Sequence, residues 1–594
     1  MAKTALPHWD MNPYFPGLDS EEFTLAYKAL VERIAELGEL FDSNAIRKTE
    51  SLEVNETNVA LLEKAIEFLN DLSEELKLVR AYIVSFVSQN SRDDVAQAKY
   101  SQLQMESVAL SKLSTRFTAW VAAFDVDSLV EKSRIAKDHE FMLRRSVVSA
   151  SHQMSEIEED LYSDLVVTGA RAWERLHNNV SSRLLVEVPG KGKLPMAAVR
   201  GLSQDPDSEV RRNAYDSELK AWASVEVPMA AALNSIKGEA NVVNARRGWN
   251  DSVEASLFNN NIDRQTLEAM QQAVVDSFPD FRRYLGAKAR FLGSKSLAWW
   301  DLFAPVSRKS EPKIWSWDET IEFTTSRFGA FSPRLADMAR RSFDDGWIDA
   351  EPREGKADGA FCMGVRKDES RVMLNFVQSF KSVQTLAHEL GHAYHNVNLS
   401  DRRALQRSTP SALAETASIF CESIIFHAGL EAASDAEKIS ILENYLQNTC
   451  QVVVDIHSRF ILEKGVHEGR EQRELSVDEL KDLMIDAQRQ TYGDGLDQDA
   501  LHPYMWAVKP HYYIASYYNW PYTFGLLFGT GLYAQYLEDP EKFRAGYDDL
   551  LSCTGMEDAA ALTARFGFDI RDTGFWRSSL DIIKGRIDEF VALV

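Results

Sequence analysis

From Phe23 to Phe41 the apolar residues fall at Phe23, Tyr27, Leu30, Ile34, Leu37 and Phe41, alternating spacings of four and three. A helix turns once every 3.6 residues, so these positions form one apolar seam along an otherwise polar rod. Residues 56–90 and 94–123 continue with long, charge-rich amphipathic patterns that contain no proline. Seams of this kind bury against one another, and the first part of the chain reads as a helical bundle. The pattern breaks at "EVPGKGKLPM", residues 187–196, where two prolines and two glycines predict a loop or short hairpin close to a domain boundary. Helical patterns resume from about residue 208. The resulting division is an N-terminal helical domain over 1–190 and a second domain over 191–594.

One region departs from the helical period. "GAFCMGV" (359–365) and "RVMLNFV" (371–377) are short apolar runs separated by the polar "RKDES", which predicts a β-hairpin. It stands directly before "TLAHELGHAYH" (385–395), which holds three of the chain's 12 histidines. On a helix, His388 and His392 lie one turn apart on nearly the same face, so two imidazoles can share one Zn²⁺. Glu389 sits about 100° round the helix from His388. That suits a general base acting on water better than a third ligand. The flanks are largely apolar, and unpaired His and Glu are costly in such a setting. Gly391 is unfavourable inside a helix and predicts the close approach of another element. His395 lies about 10 Å along the axis from His388 and reads as a packing group or a support for a ligand.

A catalytic zinc commonly takes three protein ligands. A third histidine supplied by HExxHxxGxxH would need Gly at 395 and His at 398, where this chain has His395 and Asn398. The alternative source is "TPSALAETASIFCESIIFHAGL" (409–430), an apolar helical segment with two acids and no Lys or Arg. Thr409 is expected to cap it and Pro410 to occupy its first turn. Glu415 is the expected ligand, 23 residues beyond His392. Glu422, seven residues further on, is expected to orient a ligating histidine. Exchanged roles for the two acids, or pairing of both with arginines, are the competing readings.

Composition then narrows the partners. The 594-residue chain carries a formal net charge of -24, which opposes binding to nucleic acid and to anionic membranes. Residues 1–20 show no leader-like apolar stretch, and no run of about 18 apolar residues predicts a membrane span. The four cysteines are far apart and form neither a CxxC pair nor a disulfide framework, so a cytoplasmic protein is expected.

With HELGH, "LAETAS" around Glu415 and the preceding hairpin, the chain resembles oligoendopeptidase F of the M3 (thimet oligopeptidase-like) zinc metallopeptidases. "KGEANVVNARRGW" (237–249), "LAWWDLFAP" (297–305) and "WIDAEPREGKADGAF" (347–361) extend the resemblance. It implies a mainly α, two-lobed helical zincin of neurolysin-like fold, with a deep channel and a small β-sheet beside the HExxH helix. It implies one zinc held by His388, His392 and Glu415, Glu389 as general base, and internal cleavage of short peptides. The family's His- and Tyr-rich segment corresponds to 502–533, where His511, Tyr518 and Tyr522 are the candidates for binding substrate and stabilising the oxyanion. "GTG" at 529–531 reads as a flexible loop or a helix-to-helix turn. The strand around 371–377 is expected to align the peptide main chain by β-pairing. Two other readings remain: a zinc carboxypeptidase of helical fold, and a non-catalytic zinc-containing peptide-binding protein.

Overall fold

A computed structural model describes residues 5–306 and 313–594. The first four residues, part of the stretch expected to lack a leader, lie outside the described residues. The fold is mainly helical, with only short strands. Two compact units divide it: Met1–Gln153 with Lys313–Gly429 and Gln535–Phe566, and Met154–Pro312 with Leu430–Ala534 and Gly567–Val594.

In the first unit, α1 (Glu21–Ser43) begins where the Ser20 hydroxyl accepts the Phe23 N–H, with Glu21 and Glu22 in the positive first turn. Phe23, Leu30, Ile34, Leu37 and Phe41 are buried as the seam predicts, and Tyr27 is half-buried. α2 (Glu56–Gln89) and α3 (Asp94–Val121) complete the apolar cluster, and both start at side-chain caps, Asn55 and Asp93. The cluster does not stop at the bundle. It includes Met373, and Phe361 and Met363 pack against it, so these helices rest on the sheet.

That sheet has three strands, β1 (Ile348–Asp349), β2 (Phe361–Arg366) and β3 (Glu369–Met373), in the order β1–β3–β2. β1 is parallel to β3, and β2 is antiparallel to it. The hairpin forms where the apolar runs predict it, but its turn is tighter. Arg366 and Glu369 face each other across the strand ends, with Nε donating to the carboxylate at 3.0 Å. The turn therefore shrinks to Lys367 and Asp368, with Lys367 at φ 37°. Beyond Met373 the chain leaves the strand, yet the Leu374 and Phe376 N–H groups still donate to the Asp349 and Ala350 carbonyls.

α4 (Phe380–Asn398) follows and carries the HExxH residues. Val383, Leu386, Ala387, Leu390, Ala393 and Tyr394 are fully buried. α5 (Thr416–Ala432) runs back along it, and two glycines of the pair leave no room for a side chain. A Cβ on Gly391 would stand 2.6 Å from the Ala417 carbonyl oxygen and from the Ser418 Cα. A Cβ on Gly429 would strike the Phe380 ring. The close approach that Gly391 predicts is thus a backbone-to-backbone crossing. Residues 411–432 are long and apolar enough to cross a membrane, but the segment carries Glu415 and Glu422, and its Phe420, Cys421 and Ile425 are fully buried. It is a core helix by its contacts.

The second unit is built on helices that include Glu226–Arg246, Arg264–Phe291, Ile456–Gln472 and Thr573–Leu593. The break at 187–196 is a two-stranded antiparallel hairpin, Leu185–Val188 with Gly192–Pro195. The "GTG" at 529–531 is neither loop nor turn. It lies inside the helix Trp520–Glu538, where all three residues are buried, and a flexible connection there is excluded by that packing.

The α4–α5 crossing generates a stability prediction. Gly391→Ala forces a methyl against backbone that has no rotamer to yield, and should destabilise the protein by about 1–3 kcal/mol. Gly38→Ala, in α1 with open space around it, should be neutral or stabilising by up to about 1 kcal/mol. Thermal unfolding of the two variants checks this, and equal midpoints would contradict the crossing.

Candidate metal centre

The crossing at Gly391 sets the start of α5 against the HExxH face of α4. The expected helix from Thr409 does not form as one piece. A single turn, Ser411–Ala414, begins at Pro410 with no side-chain cap, and α5 starts afresh at Thr416. Thr409 does not cap because its hydroxyl bonds the Thr554 hydroxyl at 2.9 Å. Glu415 therefore occupies the junction between the two pieces, with φ -86° and ψ 5°. Its carboxylate is turned toward α4. One oxygen lies 3.2 Å from His388 Nε2 and 3.4 Å from His392 Nε2. The ligand atoms of His388, His392 and Glu415 all fall within 4.8 Å of one another.

Two further groups fix this arrangement. His388 Nδ1–H donates to Glu422 at 3.0 Å, which directs Nε2 toward Glu415. The Ser418 hydroxyl donates to the Glu415 oxygen at 2.7 Å. The sequence reading omitted Ser418, although a hydroxyl three residues after an acid at a helix start is a recognisable pairing pattern. His395 does not join the convergent set. It is buried, with Nε2 2.9 Å from the Thr554 hydroxyl and 3.2 Å from the Leu551 carbonyl, and it fastens α4 to that segment.

The electrostatics follow from burial and pairing. Burial alone would raise the Glu415 carboxyl, but hydrogen bonds from His388 and His392 hold it far below the usual carboxylate range. Burial opposes a charged His388 as well, and its bonds to Glu415 and Glu422 overcome that and raise it well above an ordinary histidine. Glu389 behaves differently. Burial pushes its carboxyl up, against the pull of His388 and His392. It is 5% exposed, and its Oε2 has no hydrogen-bond partner among the described residues. Two imidazole nitrogens, one carboxylate oxygen and a buried unpaired acid form a donor set that fits zinc with an adjacent base.

The four residues line one cavity of about 600 Å³. Phe361, Cys362 and Gly364 of β2 line it as well. This narrows the expectation for 371–377: β3 is the central strand, and at Val372 and Met373 it is paired on both sides, so those two residues have no free edge to offer a peptide. The edge strands are β1 and β2, and β2 is the one whose residues line the cavity.

His511, Tyr518 and Tyr522 belong to the second unit, where they come together. The ring centroids of His511 and Tyr518 are 4.7 Å apart, those of Tyr518 and Tyr522 are 5.9 Å apart, and the two phenol oxygens lie 3.4 Å from each other. Tyr518 and Tyr522 are 37% and 42% exposed. Pro521 does not interrupt the run, because it stands in the first turn of the helix Trp520–Glu538, where its missing N–H costs nothing.

Comparison with known proteins agrees with this architecture. A solved structure from Chlamydophila abortus superposes with a TM-score of 0.83 at 20% identity, covering 99% of this chain and 98% of that one. Oligoendopeptidase-F from Enterococcus faecium superposes with a TM-score of 0.70 at 18% identity, covering 96% and 99%. The oligoendopeptidase F homologue of Lactococcus lactis subsp. lactis is 22% identical over 595 aligned positions, covering 96% of this chain and 97% of that protein. Residues 202–582 match peptidase family M3, and the chain belongs to that family.

Proposed function

We propose that this chain is a zinc-dependent endopeptidase that cleaves internal bonds of short oligopeptides, with the catalytic region over 191–594 and the helical domain over 1–190. The observation that carries the proposal is the convergence of His388, His392 and Glu415 beside the unpaired, buried Glu389 in one cavity. The similarity to oligoendopeptidase F supports cleavage inside short peptides. Four unpaired cysteines support a reducing, cytoplasmic setting.

His388, His392 and Glu415 would hold one zinc. Zinc in such a site polarises the scissile carbonyl and lowers the pKa of water. Glu389, whose carboxyl burial raises above the usual range, takes the proton of the attacking water and returns it to the leaving amine. Glu422 keeps the proton of His388 on Nδ1, so Nε2 stays available as a donor atom. Ser418 holds the Glu415 carboxylate in place. The edge of β2 offers main-chain pairing to an extended peptide. Tyr518 and Tyr522 supply phenol O–H groups suited to a developing oxyanion.

The reading is tested by mass spectrometry of the products of a short, internally quenched peptide. Cuts at internal bonds are expected from the wild-type protein. Glu389→Gln should lower kcat by several orders of magnitude while zinc stays near one per chain. Stepwise trimming from one end, or a tenth of wild-type activity in Glu389→Gln, would defeat it.

The two acids of the α5 segment separate in a second measurement. Glu415→Ala should abolish activity and lose zinc on dialysis. Glu422→Ala should weaken metal affinity about 10–100-fold through the released His388. The reverse ranking in metal analysis would exchange their assignments.

A further inference from the structure

A chain of buried polar groups in the second unit ends on His511. It starts at Asp455, the last residue of a π-helical turn, Gln451–Asp455, that leads into the helix Ile456–Gln472. One oxygen of Asp455 accepts from both Nε and Nη2 of Arg459, the Nε bond at 2.8 Å. Arg459 Nη1 then reaches Asn519 Oδ1 at 3.0 Å. The same Oδ1 lies 2.7 Å from His511 Nδ1. Asp455, Arg459 and Asn519 are all buried, and apart from the Tyr492 hydroxyl, which donates to the other Asp455 oxygen at 3.4 Å, these side chains pair with one another and with His511.

The order of donors along this chain is forced. A guanidinium only donates, so the Asn519 atom that faces Arg459 must be the carbonyl oxygen, and the side chain cannot be flipped. That oxygen also faces His511 Nδ1, and an acceptor there requires a hydrogen on Nδ1. In a neutral imidazole the lone pair is then on Nε2. His511 Nε2 has no hydrogen-bond partner among the described residues.

The segment that carries these groups is held at a second point by the same helix. Glu463, one turn beyond Arg459, accepts from the Tyr517 N–H at 2.7 Å and from Lys237. Tyr517 sits at φ 54°, a left-handed conformation that a bulky residue adopts only when its surroundings impose it. The π-turn is tied to the helix Trp520–Glu538, since the Thr523 hydroxyl donates to the Val452 carbonyl at 2.7 Å. His511 and Tyr518 are therefore placed by one framework.

We infer that Asp455, Arg459 and Asn519 are positioning residues that hold His511 as its Nδ1–H tautomer, so that Nε2 accepts a hydrogen bond from a substrate N–H and does not donate to the oxyanion. This rests on the reading that His511 meets the substrate. It reassigns the expected role of His511 and leaves the oxyanion to the phenols of Tyr518 and Tyr522. Burial, with the nearby cations Arg459 and Lys509, holds His511 below the usual histidine range, against the pull of Asn519.

The test is a long-range proton–nitrogen correlation spectrum of the full-length protein labelled with ¹⁵N-histidine, recorded above the histidine titration range. Loss of one ring system in His511→Gln identifies the signals. In the wild-type protein Nδ1 should be the protonated nitrogen and Nε2 the bare one. Asn519→Leu should abolish that pattern, and Asn519→Asp, which keeps the acceptor, should retain it. Protonated Nε2 in the wild-type protein overturns the proposal, and so does an unchanged pattern in Asn519→Leu. Should Asn519→Leu fail to fold, the wild-type and Asn519→Asp spectra decide between the same two outcomes. The readout needs no turnover, so it stands whatever the peptidase assay returns.

Discussion

Two helix backbones meet at Gly391, and the candidate metal centre depends on that contact. Any side chain at this position would separate α4 from the start of α5. With them apart, Glu415 could not lie within 3.2–3.4 Å of two imidazoles carried by the other helix. The break between Ala414 and Thr416 serves the same end, because a carboxylate at a junction can turn toward α4 while the apolar helix that follows stays buried. Glu415 and Glu422 are costly in such a helix unless paired, and the histidines of α4 pair both. The acids, the histidines and the glycine form one interdependent set.

Histidine ring nitrogens are controlled in the same way at separate places. Glu422 occupies Nδ1 of His388, and Asn519 occupies Nδ1 of His511, so in each ring Nε2 is the working atom. His395 shows the contrast. Its Nε2 is spent on Thr554 and Leu551, and the residue serves to hold α4 in place. Sequence spacing alone separates His395 from His388, but only the partners explain why one ring is available for chemistry and the other is not.

Much of this was legible in the residues. The i, i+4 spacing of His388 and His392 places them on one helix face, and the lack of Lys and Arg in 409–430 singles out Glu415 and Glu422. The α1 seam from Phe23 to Phe41 is buried as its period requires. The features that escaped depend on pairing between distant stretches. The two-residue strand Ile348–Asp349 carries no pattern of its own, yet its pairing with β3 makes β3 central and leaves β2 as the hairpin strand at a sheet edge. Thr409 has the chemistry of a cap, but Thr554, 145 residues away, takes its hydroxyl. "GTG" carries two helix-weakening glycines, and burial inside the helix Trp520–Glu538 outweighs them. The bonds of Asn519 to Arg459 and His511 likewise have no signature in local sequence.

The account is tested most directly by anomalous scattering at the zinc edge from crystals of the zinc-loaded protein. One peak per chain is predicted, bonded to Nε2 of His388, Nε2 of His392 and the Glu415 carboxylate, with Glu389 outside the ligand set. A peak bound instead by Glu422 or Glu389, or zinc found only at sites remote from α4, would contradict it.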